Sequence, residues 1–297
     1  MSSSATAAAA DAKPKKDATA ADTASSTSAS KYPDMSMAQK MHRLIHHHDQ
    51  TGEMMELESE VFEEIAMEWK NPSLYLKLQQ TLHGKTPTST LASAKFTKDE
   101  LTAMGEANKK EEMEKLQEKV KEAEINAGDM EIMDAKIAIA RYAAQCLTED
   151  EALQAYDDVL ALPKISSGKQ LDLRMEKMRI ASFYGDTTTV DDILAQIQQK
   201  HDSPDWDRRN RLRVYQALQY LLHRDLQQAS KLLLDGIATF SCTEICSYQD
   251  FIKYACLTNL LHLPRVQLKK KVLDGPEVLS VSKEIPVVVS VVVALIL

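Results

Sequence analysis

Glycine and proline are scarce, at eight and nine of 297 residues. So little glycine leaves almost no raw material for a nucleotide cradle. The chain also has no G-x-x-x-x-G-K-[ST] phosphate loop, G-x-G-x-x-G turn or G-x-S-x-G elbow. Aromatic residues make up only 5%, while Ala, Leu, Met, Glu, Lys and Gln are plentiful, a mixture that favours helices throughout. The four cysteines lack paired spacing, which points to a reducing compartment. A basic excess is missing too: the net charge of −8 argues against nucleic acid as a partner. Residues 1–30 have no apolar core for a signal peptide. They contain acids and no arginine, unlike a mitochondrial transit peptide. The one long apolar run, Val287 to Leu297, is shorter than the roughly 18–20 residues of a membrane helix, so no membrane contact is expected.

What is present divides into four parts. Residues 1–31 are Ala/Ser/Thr-rich with almost nothing large to bury, and are expected to be disordered. Residues 32–126 form an N-terminal helical extension. Its first three helices carry Met37, Met41, Leu44 and Ile45, then Met54, Leu57, Val61, Ile65 and Trp69, then Leu74, Leu78 and Leu82. A highly charged helix closes the extension over 97–126, with a capping box at Thr97 to Glu100 and a thin stripe of Met104, Met113, Leu116, Val120 and Ala123. Residues 127–286 fall into helix pairs. Ala152, Val190 and Ala229 occupy matching places roughly 38 residues apart, a period near that of tetratricopeptide-type repeats. The expected fold is therefore all-α, a divergent tetratricopeptide-like superhelix whose core arises by stacking of successive pairs. Residues 287–297 are an aberrant valine-rich tail, and the valine density favours an exposed, aggregation-prone β segment.

Candidate chemistry is sparse. His42 and His46 share a helix face, but His46-His47-His48 point in three directions and no carboxylate completes a zinc pattern. Cys242, Cys246, Cys256 and His262 lack C-x₂-C knuckles, and Cys246 and Cys256 fall within a helix pattern as small apolar residues. The acid clusters read as solvated helix faces. No metal, cofactor, small-molecule substrate or enzymatic activity is expected.

One stretch stands above this background, Ser203 to Gln216. Ser203 as N-cap and Pro204 at the first helical position would open a helix, with Asp205 and Asp207 favoured by its dipole. Trp206, Val214, Ala217, Leu218, Leu221 and Leu222 share a broad apolar arc, extended by Tyr215. Such a helix is expected between two neighbours, where Trp206→Ala would cost about 3–5 kcal/mol. Arg209, Arg213 and Gln216 lie on the polar side; Arg208 and Arg211 project within or beside the apolar arc. Trp206, Arg208, Arg209, Arg211 and Arg213 are therefore the candidate structural and partner-contact residues. Arg208 or Arg211 would pair with acids on an adjacent helix, or the group would present a basic ridge to an acidic protein surface.

The run from Asp205 to Gln216, with Trp206, Asn210 and four arginines, closely resembles the non-ATPase regulatory subunit 6 family of the 26S proteasome lid. The resemblance runs from about Tyr32 to Pro286, strongest over Ser203 to Phe240. It implies a non-catalytic scaffold in ubiquitin-dependent degradation, cytoplasmic and nuclear, with other lid and base subunits as partners. Deubiquitination and ATP hydrolysis would belong to other subunits. It also implies a following winged-helix PCI module. The valine-rich tail stands there instead, so a genuine truncated isoform or a gene model that reads through an intron or frameshift is expected, the second favoured because an exposed apolar strand wants a partner. A signalosome subunit 1-like chain or another helical-repeat adaptor is the alternative; the Asp205-to-Gln216 signature favours the proteasome.

Overall fold

A computed structural model describes residues 32–46, 52–83, 96–199 and 204–296. Among these residues every regular element is helical. The extension comprises α1 (Met35–His46), α2 (Gly52–Glu64), α3 (Pro72–His83) and the long α4 (Lys98–Asn126). There follow α5 (Asp129–Cys146) with α6 (Glu149–Leu160), α7 (Ser167–Tyr184) with α8 (Thr187–Gln199), and α9 (Trp206–Leu222) with α10 (Leu226–Gly236). Then come α11 (Tyr248–His262), α12 (Arg265–Leu268), α13 (Pro276–Val281) and α14 (Pro286–Ile296). The partners of each pair pack on one another, and α7 also packs on α9.

Local chemistry sets the ends. Thr97 and Thr148 each accept from the amide three residues on, and Glu100 and Glu151 return the bond to the cap amide. Gly185 closes α7 in the left-handed region at φ 82°, which costs a glycine little. Asp186 then starts α8 by accepting from the Thr188 hydroxyl and the Thr189 amide; these bonds hold its carboxyl down at about 2.

The last turn of α2 widens into a π-helical turn, Ile65–Trp69, which leaves carbonyls without helical partners. The end of α5 supplies them: Gln145 Nε2 donates to Glu68 O at 3.1 Å and Cys146 Sγ to Trp69 O at 3.1 Å. In return Asn71, which caps α3 by accepting from Leu74 N, donates to the carbonyls of Gln145 and Leu147. Trp69 is fully buried here between Tyr32 and Phe183. Phe183, from α7, joins the core of α1–α3, so the extension and the pairs share packing. Arg179, one turn earlier and 1% exposed, donates to the Tyr32 carbonyl at 2.9 Å.

Three expectations are corrected. The valine-rich tail is helix α14, not a strand. It packs on α11, with Val292 buried, because a neighbouring apolar helix face outweighs the modest helix penalty of valine. Cys246 lies in the turn before α11, not in a helix, though it is buried as expected. In α4, Leu101 is the buried residue, whereas Met104 in the stripe is exposed.

Candidate partner-contact site on α9

The start of α9 departs from expectation. Asp205 is the N-cap: its Oδ1 accepts from Arg208 N at 2.9 Å, and Trp206 is the first helical residue. Pro204 precedes the cap, and Ser203 lies outside the described residues. An ionised carboxylate is the stronger acceptor for the orphan amides and also meets the positive end of the helix dipole.

At 100° per residue, the buried residues Asn210, Arg211, Leu212, Val214, Tyr215, Ala217 and Gln219 cover well over half of the circumference. Trp206 falls at the edge of that arc. It is 58% exposed, which overturns its expected place between repeats, and Leu222 at the other end is exposed as well. Trp206 shares the outer ridge with Arg209 and Arg213, at i+3 and i+7. Arg209 is exposed; Arg213 is half-buried and donates to Asn210 Oδ1 at 3.2 Å.

Arg208 and Arg211 turn inward. Arg208 grips Asp172 of α7 through Nε at 3.0 Å and Nη2 at 2.7 Å, and also contacts Asp205. Its guanidinium lies against Gly168, where an added Cβ would come within 3.0 Å. Arg211, 8% exposed, donates to Glu244 at 2.8 Å and to Asp172 at 3.4 Å. The hydrogen bond to Asp172 leads in raising the pKa of Arg208. For Arg211 burial pulls down, but the charge and hydrogen bond of Glu244 outweigh it and the net shift is upward.

A second buried group lies between α5 and α7. Glu176, 4% exposed, accepts from Arg141 Nε at 3.1 Å and Nη2 at 2.6 Å, and from the Tyr156 hydroxyl at 2.7 Å. Burial pushes its carboxyl up, but the Arg141 hydrogen bond and charge, with Tyr156, carry it below the ordinary glutamate value. Asp172 and Glu176 correct the reading of all acid clusters as solvated faces. Sequence reasoning missed them, Glu244 and Arg141. A signal existed: Arg141–Glu176, Asp172–Arg208 and Arg211–Glu244 are separated by 35, 36 and 33 residues, close to the spacing of successive pairs.

The remaining candidates stay apart. The rings of His42 and His46 lie 4.2 Å apart, while His47 and His48 fall outside the described residues. Among the described residues no group of three or more His, Cys, Asp or Glu is arranged to hold a metal ion, and no helix is long and apolar enough to cross a membrane. All four cysteines are free and buried, and burial pushes their thiols up, Cys146 and Cys256 to about 11 and Cys246 to about 12.

A family model described as 26S proteasome subunit RPN7 matches residues 98–271, from the start of α4 into the helical turn after α12. The 26S proteasome non-ATPase regulatory subunit 6 homolog of Arabidopsis thaliana is 33% identical over 86% of this chain and 63% of its own length. The corresponding Dictyostelium discoideum subunit is 34% identical over 65% of this chain and 50% of its own. The 26S proteasome regulatory subunit RPN7 of Saccharomyces cerevisiae is 36% identical over 61% of this chain and 42% of its own. The chain thus spans about half the length of these relatives, somewhat more for the plant protein.

Proposed function

The chain belongs to the RPN7 family of 26S proteasome subunits, and on that premise we propose that it is a non-catalytic scaffold of the regulatory-particle lid, acting in ubiquitin-dependent degradation through protein–protein contacts. The supporting observation is the family match across 98–271, which contains α9 with both its inward and its outward arginines. In this reading the inward pair stiffens the array, and the ridge of Trp206, Arg209 and Arg213 meets an acidic surface on a neighbouring lid or base subunit. Exposed tryptophan and arginine are the residues that most often dominate such interfaces. The helix pairs over 127–286 form the contact-bearing body, residues 32–126 the extension, and the cytoplasm and nucleus the setting. The relatives are named non-ATPase subunits. Absence of catalysis also suits the buried titratable groups of this chain, which engage one another rather than converging on an open site.

The test is native purification through a tagged lid neighbour, with intact-mass and peptide mapping. Peptides of this chain should co-purify with the lid. Substituting Trp206→Ala and Arg209→Glu, both exposed, should lower recovery at unchanged thermal stability. Equal recovery would remove the ridge from the interface; absence of this chain from every lid preparation would overturn the scaffold reading.

A further inference from the structure

The described residues enclose an apolar cleft of about 820 Å³ between the extension and the helix pairs. Met35, Met41, Ile45, Leu74 and Leu78 form one wall, from α1 and α3. Phe183 and Tyr184 at the end of α7, Tyr215, Leu218 and Leu221 of α9, and Ile245 and Tyr254 form the other. The charge at its edge is one-sided. Arg43 and Lys77 line it and are exposed, whereas among the described residues no aspartate or glutamate lines it. Lys77 Nζ stands 5.0 Å from the centroid of the Tyr184 ring, which holds the ammonium at the rim. Glu149 lies within electrostatic reach of Lys77 but does not line the cleft.

The cleft volume sits well inside the range of preformed small-molecule sites. An apolar interior with cationic residues in its lining fits a ligand with a hydrocarbon body and one anionic head.

We propose that this cleft binds a single-chain anionic amphiphile, with the alkyl chain against Met41, Leu78, Tyr215 and Leu218 and the carboxylate between Arg43 and Lys77. The flexible Met35 and Met41 side chains adapt to an unbranched chain. The site is independent of the scaffold reading, since none of the α9 ridge residues lines it.

The test uses the full chain and sodium oleate below its micelle concentration, followed by calorimetry. Saturable binding of one oleate per chain is expected, with oleyl alcohol at least tenfold weaker. Arg43→Glu with Lys77→Glu should weaken oleate at least tenfold. Both side chains are exposed, so the fold should survive, as circular dichroism would confirm. Ala38→Trp, which fills the cleft, should abolish binding. No saturable binding, equal affinity for oleate and the alcohol, or undiminished affinity in the double variant would each overturn the assignment. So would a helical acidic peptide that saturates the cleft when oleate does not, which would mark it as a protein-docking groove.

Discussion

Asp172 of α7 and Arg208 of α9 form a two-pronged ion pair across 36 residues of chain, and the same carboxylate also accepts from Arg211. One buried acid thereby neutralises part of two guanidinium groups. Removing it strands charge in a region where water is largely excluded.

The first prediction follows from that stranding. Breaking a fully buried pair costs about 3–5 kcal/mol, and the partial exposure of Arg208 with its second partner Asp205 reduces this, so Asp172→Ala should cost about 2–3 kcal/mol. Urea melts would measure it, and a double-mutant cycle with Arg208→Ala should show coupling well above 0.5 kcal/mol. A coupling near zero would mean that the pair is ornamental.

The two tryptophans should behave oppositely. Trp69 is 1% exposed, packed on Tyr32 and Phe183, and its truncation to alanine should cost about 3–5 kcal/mol. Trp206 is a surface residue, so Trp206→Ala should stay within about 0.5 kcal/mol. Thermal melts of the two single variants check the contrast. Fluorescence of the Trp206→Ala protein should be blue-shifted when folded and should move red on unfolding.

Acid should loosen the α5–α7 contact. Glu176 has a lowered pKa in the folded protein, so its stabilisation is fully present above the ordinary glutamate value of 4.5 and fades as pH falls through the lowered one. Asp186 acts in the same direction, fading toward about 2. Urea midpoints between pH 6 and 3 should therefore decline, and Glu176→Gln should be less stable at pH 6 yet show a flatter decline. Parallel slopes for the two proteins would contradict the assignment.

The thiols work at the other end of the scale. Burial keeps Cys146, Cys246 and Cys256 protonated to about 11 or 12, above the ordinary thiol value of 9.0. A raised acid pKa stabilises the fold below the unfolded value, and that contribution is lost as pH climbs from about 9 toward 12. Ellman's reagent at pH 8 should find essentially no reactive thiol in the native protein and all four cysteines after denaturation. Rapid labelling of the native state would show that a cysteine is accessible.

Most of the helices could be read from the sequence because their signals are local. The Thr97 cap, the Gly185 stop and the periodicity of α5 to α10 need only nearby residues. What failed depends on neighbours. Trp206 sits at the edge of an arc, and only the helices packed around α9 decide whether an edge position is covered. Val292 is helical because α11 offers an apolar face that valine propensity does not foresee. In the candidate site, the inward turn of Arg208 and Arg211 was legible from their place in the arc. Their partners were not: Asp172 and Glu244 look like any other acid until the pair-to-pair offset brings them opposite an arginine.

The bond from Arg179 to the Tyr32 carbonyl spans 147 residues, and Phe183 completes the core around Trp69. This long reach imposes a schedule on synthesis. At about 5–20 residues per second, roughly 7–30 s separate the emergence of Tyr32 from that of Arg179. Until α7 leaves the ribosome, the core of α1 to α3 lacks Phe183, and Trp69 lacks one of its two aromatic neighbours. The first helices made are thus completed only after the seventh has emerged.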